Sequence, residues 1–295
     1  MTKPPPVYEI ERPAELTAPV IFSSPHSGAF YPRHFLEASR LSALELRSSE
    51  DCYVDRLFST ASKWGALLIK ANYPRAFLDL NREAYELDQS MFKGALPDVA
   101  NTNSPRVLSG LGTIPKLVSE ATPIYKTTLA VEEGLERIQD YYFPYHDALR
   151  ALIDEVKSHF GFCIVIDCHS MPPLFSKGGF LPEKLTRKKG RKIDFVLGDN
   201  FGASCDHSLT ASIHQFLNDK GHSVARNQPY AGGFITKRYG RPRQAVQVLQ
   251  LEIGRDLYMD CQTLKPHEGF VGLKAELTEL IGMITSSKKM QQAAE

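Results

Sequence analysis

The 295-residue chain is poor in cysteine and has a single Trp, and its five cysteines form no C-x-x-C pair. Cys52, Cys163, Cys168, Cys205 and Cys261 are odd in number, and three lie in apolar or helical contexts. They read as reduced core thiols of a cytoplasmic protein, not as a disulfide framework. Neither sign of charge is in excess: 35 basic residues face 34 acidic ones, a net charge of +1. That balance leaves no global signature of a nucleic-acid or membrane-surface binder. No apolar run approaches the ~20 residues of a spanning helix. Met1-Thr2-Lys3-Pro4-Pro5-Pro6 has no apolar signal region after its charge, so no export is expected. G-x-S-x-G is also missing, which argues against a serine nucleophile on an elbow.

What is present suffices for a large core, since 42% of residues are hydrophobic. Residues 1–17 read as an extended Pro- and Glu-rich lead-in, 18–285 as one α/β domain and 286–295 as a polar tail. Strand-like runs fall at 19–24, 66–72, 162–168, 194–198 and 246–253. Helical patterns lie between them at 50–61, 124–139, 145–159, 207–219 and 270–283, the second and third parted around Pro144. This alternation predicts a three-layer α/β sandwich with a mostly parallel mixed sheet. Residues 86–123 form a long aperiodic loop of the kind that walls a site. The basic run 184–192 reads as a solvated loop.

Polar residues end two of the apolar runs. Val20-Ile21-Phe22-Ser23-Ser24-Pro25-His26-Ser27-Gly28 delivers His26, and Cys163-Ile164-Val165-Ile166-Asp167-Cys168-His169 delivers His169. Strand C-termini are where open α/β sheets place their chemistry. Alternation puts Asp167 and His169 on one face, so Asp167 can orient the imidazole, while Cys168 faces away. Two neutral imidazoles are a common base for Zn²⁺, which then needs a third protein ligand and an open position. Asp51 or Glu50, in Ser48-Ser49-Glu50-Asp51, can supply it, although the same segment also fits a capping box opening a helix. Asp51 and Asp55, spaced i,i+4 on that helix, repel unless a cation or donor lies close.

Arg75, Asp79, Asn81 and Arg82 follow the second strand and fit either a salt-bridge network or an anion clamp, since a guanidinium matches a carboxylate with two parallel bonds. Glu252 ends the last apolar run. A carboxylate there either pairs with Arg255 or, with its pKa raised by apolar walls, takes a proton from water. Residues 227–241 read as a hairpin carrying three cations, of which Arg238 is a candidate for gripping an acidic ligand. His146 reads as a helix residue, with a catalytic role as the alternative.

In order along the chain, Ser24-Pro25-His26-Ser27-Gly28, Glu50-Asp51 with Val54-Asp55, Pro74-Arg75 with Asp79-Leu80-Asn81-Arg82, Tyr145-His146, Asp167-Cys168-His169-Ser170-Met171-Pro172, the segment 227–240 and Leu251-Glu252 resemble the N-formylglutamate amidohydrolase family. The resemblance spans roughly residues 20–260. It implies kinship with the zinc carboxypeptidase and aspartoacylase clan and a phosphorylase/hydrolase-like, zinc-exopeptidase-like sandwich. It further implies Zn²⁺ on His26, Asp51 and His169, a substrate-carboxylate grip from Asn81 and Arg82 helped by Arg75 or Arg238, and Glu252 acting on water. Carboxypeptidases use H-x-x-E, and Ala29 stands at the fourth position here, so the acidic ligand comes from elsewhere and Asp51 and Glu50 both stay open. The implied reaction is metal-dependent hydrolysis of N-formyl-L-glutamate, or a related acidic N-acyl amino acid, to formate and glutamate in histidine degradation. The partner is then a small anionic substrate, with no nucleic acid or membrane involved. A carboxypeptidase or peptide amidase, and a non-catalytic binder of an acidic metabolite, are the alternatives.

Overall fold

The structure is a computed structural model that describes residues 3–118, 122–175 and 192–286. The basic run 184–192, apart from Lys192, and the tail beyond Ser286 lie outside the described residues. Seven strands form one sheet: β1 (Tyr8–Glu11), β2 (Val20–Ser24), β3 (Leu67–Ala71), β4 (Cys163–Met171), β5 (Phe195–Gly198), β6 (Val224–Arg226) and β7 (Val246–Gly254), in spatial order β1-β3-β2-β4-β7-β5-β6. The four strands β3, β2, β4 and β7 run parallel. β1 is antiparallel to β3, and the β5/β6 pair runs antiparallel to β7, so the sheet is mixed but mostly parallel. β1 comes from the extended lead-in.

Period-two alternation divides the central strands between two cores. Val20, Phe22, Ile164, Ile166, Cys168, Leu249 and Leu251 face one side. There they meet α2 (Val54–Leu57), α5 (His207–Asp219) and α7 (Gly269–Ser286). Ile21, Cys163, Val165, Val246 and Val248 face the other side, against Tyr145, Leu149, Leu152 and Val156 of α4 (Phe143–Phe160). Central strands buried on both faces read as near-continuous apolar runs, which is why the sequence marks them so clearly.

Three elements differ from the periodic pattern. Residues 50–61 hold only the single turn α2, because Tyr53 enters the left-handed region (φ 64°) and ends any helix that would run back to Asp51. The capping box belongs instead to Ser42 and Glu45, which open α1 (Ala43–Arg47), and Ser48 merely follows that helix. The helices expected around Pro144 join: α3 (Val131–Arg137) continues through a π turn, Ile138–Tyr142, into α4. Proline has no N–H for the i−4 carbonyl, and a wider turn just ahead of it absorbs the mismatch without breaking the rod. Finally, residues 227–241 are not a hairpin. They follow the edge strand β6 as a loop and then coil into α6 (Phe234–Tyr239).

Candidate active site

The second sheet face changes character along its strands. On β4 the inward series runs Cys163, Val165, Asp167, His169, and on β7 it runs Val246, Val248, Gln250, Glu252. Parallel register sets Asp167 beside Gln250 and His169 beside Glu252. The apolar half of this face covers α4, and the polar half opens at the strand C-termini. Cys168 points into the opposite, apolar layer, as alternation predicts, and burial holds its thiol well above the usual range.

His26 arrives from the loop after β2. Gly28 lets that loop pass the next segment closely: a Cβ there would lie 2.2 Å from the Tyr73 carbonyl oxygen. The loop also accepts the Asp51 N–H at the His26 carbonyl (3.0 Å), which ties the two segments together. The imidazole planes of His26 and His169 come within 4.8 Å, centroid to centroid. Each ring is held from behind by a carboxylate on Nε2, Asp79 for His26 (2.8 Å) and Asp167 for His169 (2.9 Å). Both Nδ1 atoms then face Asp51 Oδ2, at 3.4 Å from His26 and 3.0 Å from His169. One ligand atom from each of His26, Asp51 and His169 lies within 4.8 Å of the others, and all three residues are buried.

These donors fit a divalent cation. His26 Nδ1 is fully buried yet has no hydrogen-bond partner among the described residues, an expensive state for an imidazole nitrogen that a metal would relieve. Carboxylates behind both rings fix the tautomer that leaves Nδ1 free to ligate. Glu50, the other candidate ligand, is turned away: it accepts from Tyr31 Oη (2.6 Å) and pairs with Arg47 (3.2 Å). Asp51 is the one drawn inward, with Oδ1 accepting from Ser170 Oγ (3.1 Å) and Arg255 Nη2 (3.2 Å). Asp55 takes no part in the cluster and lines a separate cavity with Arg56 and Lys70.

Burial would raise the Asp51 pKa, but the His169 hydrogen bond and the nearby His26 imidazole outweigh it and hold the carboxyl well below its usual range. Asp79 behaves likewise: burial opposes its charge, and Arg75 and Arg82 restore it. Glu252 has no ion pair among the described residues, and burial outweighs the charges of His169 and Arg75 and pushes its carboxyl up to about 7. It accepts from Gln250 Nε2 (2.7 Å) and does not pair with Arg255, which is committed to Asp51 and Ser170.

Two adjoining cavities open over this cluster, of about 460 and 230 Å³, and Arg75, Leu111, Tyr230 and Glu252 line both. Asp51 and Arg255 face the larger; His26, His169 and Arg82 face the smaller. The long loop 86–123 supplies Arg106 and Leu111 as wall residues. Arg75 lends Nη2 to Asp79 Oδ2 (2.7 Å) and otherwise faces the cavities. All three nitrogens of Arg82 are engaged, with the Leu111 and Asn81 carbonyls (2.8 Å each) and Asp79 (3.3 Å).

The other two expected substrate contacts are Asn81 and Arg238. Asn81 lines the smaller cavity and also braces the site, donating to Asp167 Oδ2 (3.1 Å) and accepting the Ile235 N–H (2.8 Å). Arg238 sits on the exposed side of α6 and lines neither cavity, because the segment coils there instead of forming a hairpin. His146 is buried in α4 away from the cluster, donating to the Leu80 carbonyl (2.9 Å) and accepting from Tyr239 Oη (2.9 Å). Asp79 as the brace of His26, and Arg255 and Ser170 as braces of Asp51, were not evident from the sequence. Their only signal is an acid or cation within a few residues of a candidate ligand, which many surface positions share.

The profile of the N-formylglutamate amidohydrolase family matches residues 18–259. The chain belongs to that family. N-formylglutamate deformylases of Pseudomonas aeruginosa and Pseudomonas putida are 29% and 30% identical to it, covering 83% and 82% of both chains. The crystal structure of N-formylglutamate amidohydrolase from Ralstonia eutropha JMP134 superposes with a TM-score of 0.85 at 34% identity, covering 94% of this chain and 96% of that one. A gene product of Agrobacterium tumefaciens shares the fold, with a TM-score of 0.66 at 21% identity.

Proposed function

We propose that this member of the N-formylglutamate amidohydrolase family is a metal-dependent deformylase that hydrolyses N-formyl-L-glutamate to formate and L-glutamate. The observation that carries the reading is the buried Nδ1 of His26, which makes no hydrogen bond among the described residues and is aimed with His169 Nδ1 at Asp51 beneath a cavity that Arg75, Arg82 and Glu252 line. Two imidazoles and one carboxylate, each braced from behind, suit Zn²⁺, which supplies Lewis acidity toward the amide carbonyl and water when bound.

The protein's own groups carry the rest. Arg75 and Arg82 draw the anionic substrate into the smaller cavity and orient its amide. Glu252, with a pKa near neutrality, accepts a proton as water adds to the formyl carbon and returns it to the departing nitrogen. Asp79, Asp167 and Asn81 hold the two imidazoles in place. Buried free thiols fit a reducing cytoplasm, and the reaction fits histidine degradation. Among the described residues no helix is long and apolar enough to cross a membrane.

The test is formate release from N-formylglutamate by purified protein, paired with elemental analysis. Formate production at about one equivalent of zinc is expected. Full turnover by exhaustively metal-free protein overturns the metal dependence, and no formate from the metal-loaded protein overturns the substrate.

A further inference from the structure

The charges along the two cavities are unevenly divided. The smaller is lined by three guanidinium groups, Arg75, Arg82 and Arg106, against one carboxylate, Glu252. The larger is lined by Asp51, Asp79 and Glu252 against Arg75 and Arg255. Asp79 is shared by Arg75 and Arg82, so one carboxylate answers two guanidinium groups and the recess keeps an excess of positive charge that suits an anion. The arginines already act on one another, since burial, and then the charges of Arg75 and Arg106, bring the Arg82 guanidinium down to about 10. The three arginines are not equivalent. Arg82 is buried and fully engaged, and Arg75 is half-buried and braced on Asp79. Arg106 is exposed at the cavity edge, and among the described residues no hydrogen bond or ion pair engages its side chain.

An N-formyl acidic amino acid carries two carboxylates at unequal distances from the scissile bond. The α-carboxylate is one carbon from the amide nitrogen, so it must stay deep, near the imidazoles, where Arg75 and Arg82 lie. The side-chain carboxylate is separated by further methylenes and reaches outward. We infer that Arg106 is the specificity-determining residue that receives the side-chain carboxylate of the substrate at the rim of the smaller cavity. A guanidinium with no partner among the described residues has its donor fork available, and binding the dianion adds negative charge to the recess. The contact selects for N-formylglutamate over N-formylglutamine, which keeps the α-carboxylate but has an uncharged side chain. This inference rests on the deformylase reading of the same site.

The experiment compares wild type with Arg106→Gln and Arg106→Lys, measuring kcat and KM for both substrates, with zinc content and Tm as controls. In Arg106→Gln, KM for N-formylglutamate is expected to rise on the order of 10-fold with kcat little changed. The preference for glutamate over glutamine should collapse, and Arg106→Lys should recover part of it. Calorimetric binding of N-formylglutamate to Glu252→Gln protein, with and without Arg106→Gln, reads the same contact without turnover. Hydrolysis of N-formylglutamate with an unaltered preference in Arg106→Gln overturns the inference and leaves the deformylase reading standing. If wild type neither binds nor hydrolyses N-formylglutamate, both fall.

Discussion

At the scale of single residues, the site is a set of donors each held from behind. His26 and His169 differ in how they arrive, one from a glycine-dependent loop and one from a strand, yet both carry a carboxylate on Nε2 and face Asp51 with Nδ1. That symmetry separates ligand from base. On the proposed reading His169→Ala is expected to lose the metal, because one of the three candidate ligand atoms is gone; atomic absorption showing full occupancy would remove His169 from the ligand set. Glu252→Gln keeps shape and metal but cannot accept a proton. Turnover should fall ~10²- to 10⁴-fold at undiminished zinc content. Wild-type turnover in that variant would mean another group handles the proton. The choice between Glu50 and Asp51 was open in the sequence because adjacent acids look alike. The structure separates their partners: Tyr31 and Arg47 take Glu50, while the distant Arg255 and Ser170 brace Asp51.

At the scale of elements, the two sheet faces have different duties. The layer formed by α5 and α7 is largely apolar, whereas the α4 side gives way to polar groups at the strand ends. Leu277, fully buried on α7, tests that division. Leu277→Ala should cost ~2–5 kcal/mol of stability by urea denaturation while kcat at 25 °C stays within about twofold. A loss of activity without loss of stability would show that the two layers are coupled. On the other side, His146 ties α4 to the Leu80 carbonyl ahead of Asn81, and to Tyr239 of α6. Burial brings its imidazole down to about 4 from 6.5, so it is neutral in the fold. Between those values the unfolded chain binds the extra proton. The stabilisation is therefore complete above about pH 6.5 and is lost as pH falls toward 4, amounting to on the order of 3 kcal/mol. His146→Gln should flatten that part of the stability profile relative to wild type; parallel profiles would assign the acid sensitivity to other groups.

At the scale of the molecule, the cluster of His26, Asp51 and His169 that could hold a metal joins distant parts of the chain: the loop after β2, the segment between α1 and α2, and the end of β4. A cation that binds only when these have converged stabilises the fold by mass action, ~2.7 kcal/mol at a hundredfold excess over Kd. Chelation should therefore lower Tm by several degrees, with recovery on adding zinc. A Tm indifferent to chelator would mean that the three ligands contribute nothing to holding these segments together.

The central strands, α5 and α7, and the pairing of Asp167 with His169 on one face were legible in the chain alone, because they follow from local period and from burial on both sides of a parallel sheet. So was the motif series that ties the protein to its family. Convergence was not legible. Asp51 lies outside any helix because Tyr53 turns left-handed, the segment after β6 coils instead of pairing, Asn81 serves the imidazoles, and Arg238 points to solvent. Each of these outcomes depends on which distant group satisfies a donor or a charge. Residue order lists the candidates, and only the packed chain brings them within reach of one another.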